Sequence, residues 1–249
     1  MKIKNLLIVA LIATVLLSAD AAFAQSINID LGSNQTPDGT VSGRVIQLIL
    51  LISVLALAPS ILVMITSFTR IIVVLSIVRQ ALATPNIPPN AVLISLALFM
   101  TAFIMAPTFE KAWDTGIEPI IAEKVELKAG LETAVKPFHE FMLKNVREKD
   151  LELFMGLTKS PKVEKPEDVS LAVLIPSFMI SELKRAFEIG FLIFIPFLII
   201  DMVVASVLMS MGMMMLPPSM ISMPFKLIFF VLIDGWYLLT GSLVRSFIT

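Results

Sequence analysis

From Ile189 to Leu216 the chain carries one ionisable residue, Asp201, in a run of Phe, Leu, Ile, Val, Ala and Met broken only by small polar residues. Such a run exceeds the roughly 20 residues needed to cross about 30 Å of hydrocarbon, so the fold must keep it in an apolar phase. Pro196 predicts a kink rather than an end, because a neighbouring helix can satisfy the freed carbonyl. Ser206 and Ser210 put small side chains on one face, where another helix can approach closely. Just upstream, Met179, Leu183, Phe187 and Gly190 share one helical face, and Ser181, Lys184, Arg185 and Glu188 the other. The run closes in Met211-Gly212-Met213-Met214-Met215-Leu216-Pro217-Pro218. Together these features describe a helix that packs on other helices rather than a lone anchor.

Composition extends the constraint to the whole chain. Hydrophobic residues make up 57% and charged residues 16%, with mean hydropathy +0.92. An integral membrane protein or a subunit of an apolar assembly fits these values; an ordinary soluble domain does not. The net charge of -1 leaves no footprint for nucleic acid. With no cysteine and one histidine, thiolate chemistry and His-rich metal sites are excluded, and no glycine-rich phosphate loop occurs. The reading is therefore of a non-enzyme without cofactors.

Taken in order, Lys2 and Lys4 precede an apolar core and the small-x-small sequence Ala22-Phe23-Ala24, so residues 1–24 read as a cleaved signal peptide. Residues 25–43 form a flexible extracytoplasmic lead. Residues 44–107 read as a first apolar hairpin turned at Thr84 to Pro89, with Asn90 capping a helix that closes at Pro107. Arg70 and Arg79 have no acid near them in sequence, so they lie at an interface or inside protein. Residues 108–170 hold most of the charge and read as a small soluble, extracytoplasmic domain of amphipathic helices. His139 is expected to face solvent there. Residues 171–249 comprise an amphipathic helix and a second apolar hairpin, which turns from Pro217 to Pro224 and returns as one helix from Phe225 to Phe247, leaving an extracytoplasmic C-terminus.

Asp201 and Asp234 are the acids within the last two apolar helices and are expected to be buried charges. Pairing with a basic neighbour, Lys226 among the candidates, is one use; a proton or cation relay through Asp201 is the alternative. Lys184 and Glu188 form an ordinary i,i+4 pair, and with Glu182 and Arg185 they read as a solvated or intersubunit ion network. The methionines can simply fill gaps, but their place at a helix end beside a double proline also suits a soft closure.

Several of these stretches carry a resemblance. Pro176 to Leu183 with Phe178, Ser181, Glu182 and Leu183, then Phe187 and Gly190, Asp201 to Ser206, Met211 to Met215, Pro224 to Leu227 with Lys226, and Asp234-Gly235-Trp236 resemble the FliP family, the P subunit of the flagellar type III export gate. Thr66 to Leu75, which includes Arg70, and Arg79 to Leu82 match the family's first hairpin. The resemblance implies an all-α fold of apolar hairpins assembling into an oligomeric pore. Sister copies, the Q and R subunits and other export-apparatus proteins of the basal body would be partners, and unfolded flagellar proteins the cargo. It implies location in the bacterial inner membrane, helices lifted largely out of the bilayer into the assembly, and a ring of Met213, Met214 and Met215 sealing the channel.

Overall fold

In the computed structural model the described residues are 63–158, 168–213 and 215–248, with a few positions between 49 and 61. The expected signal peptide and polar lead, much of the first arm of the first hairpin, the loop 159–167 and Met214 lie outside them. The helices below all fall within one unit, residues 50–249.

Helix α1 runs Phe68–Ala81 and α2 Asn90–Ala112, the latter continued by a π-helical turn, Trp113–Ile117, and the short α3, Glu118–Ile121. Helices α4, Leu127–Asn145, and α5, Glu148–Leu157, follow; then come α6, Leu171–Ser210, α7, Pro218–Leu232, and α8, Gly235–Ile248. No strand occurs among the described residues, so the all-α expectation holds there. Among the described residues two stretches are long and apolar enough to cross a membrane, Asn90–Ile121 and Leu171–Ser210; α7 and α8, bent by 64°, make a third if they count as one broken span.

Helix α1 lies at the centre of the packing. Ile71, Val74, Leu75, Val78 and Ala81 recur at helical intervals on it, and all are buried against α6 and α2. Arg70 lies opposite Glu182, and Ile77 opposite Gly190, so α1 and the first half of α6 run side by side in one direction. The approach at Gly190 is close: a Cβ there would come within 2.4 Å of Ile77 Cδ1. Helix α2 returns antiparallel, its start tied to Arg79, and buries Leu93, Ala97, Met100 and Ile104 in the same core. A second core joins α4 and α5 to the start of α6 through Met142, Val173, Leu174 and Phe178, with Phe141 and Phe178 edge to face at 5.9 Å.

The helix ends differ from the sequence reading at three places, two of them prolines. Pro107 does not end α2, which continues to Ala112, because Met105 and Ala112 on either side are buried and one lost backbone bond is outweighed by keeping that face packed. Pro224 lies inside α7 rather than in the turn, and Pro218 occupies the first helical position, where a missing N–H costs nothing. The last apolar run is not one helix: it breaks at Ile233 and Asp234, where Asp234 has φ 52°. Pro196 does not end the helix, and α6 passes through both it and Pro176 for 40 residues, about 60 Å. Asn90 does not act as an N-cap; its Oδ1 accepts a bond from Arg79 Nη1 at 2.5 Å instead.

Candidate functional site

Arg70, which has no acid near it in sequence, meets one 112 residues away. Its Nε donates to Glu182 Oε2 at 2.8 Å and its Nη2 to Glu182 Oε1, both side chains being almost fully buried. Its Nη1 donates to the carbonyl and hydroxyl oxygens of Ser246 at 3.1 and 3.0 Å, and the guanidinium lies 3.6 Å from the centre of the Phe247 ring. The planar fork of arginine thus satisfies α6 and α8 together from α1, a geometry a lysine could not reproduce. Glu182 is therefore part of an internal clasp and is removed from the solvated or intersubunit network expected of it. Of that network, Lys184 and Glu188 keep their exposed pair at 3.4 Å.

One residue earlier on α6, Ser181 is also buried. Its hydroxyl donates to Asp150 Oδ2 at 2.6 Å and accepts from the backbone N–H of Arg147, the N-cap residue of α5, at 3.0 Å. Arg147 closes the knot with two bonds to the Asp150 carboxylate, at 2.9 and 2.8 Å. Desolvation pushes the Asp150 carboxyl up, but the bonds from Ser181 and Arg147 and the nearby positive charge outweigh it and hold the group below the usual carboxylate range. His139 is half-buried rather than solvent-facing, its Nε2 donating to the Val169 carbonyl at 2.7 Å.

Farther along, Asp201 pairs with Lys226, one of the basic neighbours expected as candidates. Lys226 Nζ donates to Asp201 Oδ2 at 2.6 Å and to the Ala81 carbonyl at 3.0 Å, and Ser222 donates to Asp201 Oδ1 at 2.5 Å. Ala81 ends α1, so the ammonium satisfies one of the carbonyls left unpaired at a helix C-terminus, where positive charge is favoured. Asp234 takes no such position: it is exposed at the bend between α7 and α8, which corrects its reading as a buried charge.

The methionine turn begins where α6 stops. Gly212, at φ 74°, adopts the left-handed conformation that a side chain would oppose. The N–H of Gly212 bonds the Met209 carbonyl and that of Met213 bonds Leu208, both near 3 Å, closing a Schellman motif. Met213 and Met215 thereby leave the helix. Met215 is 98% exposed and Met213 42%. Of the other family-motif positions, Phe178 and Gly190 are buried, Leu183 is half-buried and Phe187 is exposed.

The heights of these groups can be compared along the helices. From Arg79 back to Arg70 the axis rises about 14 Å, and an equal rise along α2 from Asn90 reaches Phe99. Phe99 and Phe103, 77% and 68% exposed, therefore lie at or beyond the level of Glu182. The exposed Lys184 and Glu188 lie between that level and Gly190. Among the described residues no group of three or more His, Asp or Glu side chains is placed to hold a metal ion.

Among the described residues, helices long and apolar enough to cross a membrane, tied together by two ion pairs, define an all-helical protein suited to membrane association. The FliP family model matches residues 51–243, and the chain belongs to the FliP family. It is 55% identical to the flagellar biosynthetic protein FliP of Caulobacter vibrioides, over 96% of this chain and 89% of that protein. Against the flagellar biosynthetic protein FliP of Bacillus subtilis it is again 55% identical, over 88% of this chain and 98% of that one. The protein of the same name from Aquifex aeolicus is 47% identical, over 93% and 96%.

Proposed function

We propose that this protein is a non-enzymatic core subunit of the flagellar type III export gate, in which sister copies with the Q and R subunits enclose a channel for unfolded flagellar proteins. Met213, Met214 and Met215 form its soft closure. The observation that carries the reading is the mismatch of levels on α2 and α6. A hydrocarbon layer deep enough to cover Phe103 would also immerse Lys184 and Glu188, at a cost of a few kcal/mol for each charge. Protein surface can cover Phe99 and Phe103 beside an ion pair without that penalty, so the exposed apolar face of α2 fits neighbouring copies better than lipid. In this reading residues 1–24 are removed as a signal peptide, residues 108–170 form an extracytoplasmic domain, the C-terminus is also extracytoplasmic, and the assembly sits in the inner membrane within the basal body, in contact with other export-apparatus proteins. Phe178, Ser181, Glu182, Leu183, Phe187, Gly190, Arg70 and Lys226 serve its assembly.

The alternative, a cation or proton carrier working through Asp201, is less well supported, because both carboxylate oxygens already accept hydrogen bonds from Ser222 and Lys226. The test is replacement of Met213, Met214 and Met215 together by Ala. Assembly, read as native mass in detergent, is expected to be unchanged, while vesicles containing the assembled gate leak small ions. Wild-type tightness with normal export would overturn the closure, and a wild-type protein that is monomeric in detergent and transports ions alone would overturn the gate.

A further inference from the structure

The turn that carries the methionines is the tip of a hairpin with arms α6 and α7, and the two arms are held together unevenly. Near the base, Asp201 of α6 is bonded to both Ser222 and Lys226 of α7, and Lys226 reaches on to the end of α1. Beside and beyond that point the arms leave an apolar gap of about 460 Å³, lined by Ile200, Val204 and Val207 from α6 and by Ile221 and Phe225 from α7. Apolar surfaces that do not interlock can slide past one another at small cost, because their attraction has no direction. A salt bridge in such surroundings cannot. A slip of one helical turn moves its partners apart by about 5.4 Å and leaves the largely buried ammonium without its carboxylate.

We propose that Asp201, Ser222 and Lys226 are positioning residues for the methionine turn: they fix the register of α7 against α6, and so the height at which Met213 and Met215 are presented. The arm lengths fit this role. From Asp201 to the end of α6 at Ser210 the axis rises about 14 Å, and from Pro218 to Lys226 about 12 Å, so the pair joins the arms at equal distances below the tip. Gly212 then starts the turn at a fixed point, through its left-handed conformation. The proposal rests on Met213 to Met215 being the closure, and its test reads register and closure separately.

The chain has no cysteine, so Met209→Cys and Met220→Cys, at exposed positions on the two arms, place one spin label on each. In the full-length protein in detergent, with labelled copies diluted into an excess of unlabelled protein, electron–electron distance measurements on this background are expected to give one narrow distribution. Adding Asp201→Asn or Lys226→Met is expected to broaden it or shift it by about 5 Å, one helical turn. Lys226→Arg, which keeps the positive charge, is expected to restore the narrow distribution. Ser222→Ala leaves both charges in place and is the variant to read if the others fail to fold; a smaller broadening is expected. An unchanged distribution in Asp201→Asn, Lys226→Met or Ser222→Ala would overturn the proposal. Ion leak through the assembled gate is measured in parallel. Altered distances with leak in Asp201→Asn support both statements. Altered distances with no leak, in a gate that also stays tight when the methionines are replaced by Ala, keep the register assignment and remove the closure.

Discussion

Two of the ion pairs that join separate helices, Arg70–Glu182 and Lys226–Asp201, involve the same kinds of charge and serve different ends. Arg70 and Glu182 are both out of contact with solvent, and every direction of the guanidinium is used, by α6, by α8 and by the Phe247 ring. Asp201, by contrast, remains 28% exposed while Lys226 is buried, and between them they join two arms that flank an apolar groove. The first pair sits inside a well-packed core and holds three helices in one arrangement. The second sits at the base of a compliant hairpin and leaves its tip free to project. Burial alone does not separate these roles; what separates them is how much of the surrounding packing would hold if the pair were gone.

That comparison can be broken at its strongest point first. Glu182→Ala leaves the Arg70 guanidinium buried without its carboxylate, and about 3–5 kcal/mol of stability should be lost. The expected outcome is little folded protein and a large drop in the unfolding midpoint of whatever is recovered in detergent. Replacing both partners, Arg70→Met with Glu182→Met, removes both desolvation penalties and should restore most of the folded yield. A double variant no better than the single one would show that the clasp itself, rather than its uncompensated charge, is indispensable.

Asp201→Asn should cost less, about 1–3 kcal/mol, because Lys226 keeps its bond to the Ala81 carbonyl and residue 201 can still reach water. Thermal unfolding of the detergent-solubilised variant checks this, and a loss as large as that of Glu182→Ala would erase the distinction drawn between the pairs. The smallest effect concerns the knot around Asp150. Its carboxyl titrates below the usual range when folded, so its contribution is present above the unfolded-state pKa and is lost as pH falls through the lower folded-state value. Ser181→Ala removes one of the bonds responsible and should destabilise by about 1 kcal/mol at neutral pH. The difference from wild type should shrink as the solution is acidified into that window; a difference independent of pH would mean that Ser181 acts through its bond to the Arg147 N–H alone.

Much of the architecture was legible in the chain because apolar length is a coarse and strong signal. The run after Ile189 demanded a long helix and received one through Pro196, and Lys226 stood among the candidate partners of Asp201. Where a helix stops was less legible. Asp234-Gly235 is a turn dipeptide, but its apolar flanks hid it and one helix was expected where two meet at 64°. Asn90 has the chemistry of a cap, yet an arginine from the preceding helix competes for its oxygen. The clasp was least legible of all, since Arg70 is separated from Glu182 by 112 positions and from Ser246 by 176, and no local pattern links residues that distant. Ser222 likewise gave no signal, because a lone serine in an apolar helix reads only as a small residue.

What covers the exposed face of α2 separates a subunit of an assembly from a helix bundle alone in lipid. Because the chain has no cysteine, Phe103→Cys carries a single spin label, and its collisions with membrane-dissolved oxygen and with a water-soluble nickel chelate can be measured in the assembled protein in vesicles. Shielding from both reagents is the predicted result, as for a side chain packed against a neighbouring subunit. Free collision with oxygen and exclusion of the chelate, the pattern of a residue facing acyl chains, would contradict it.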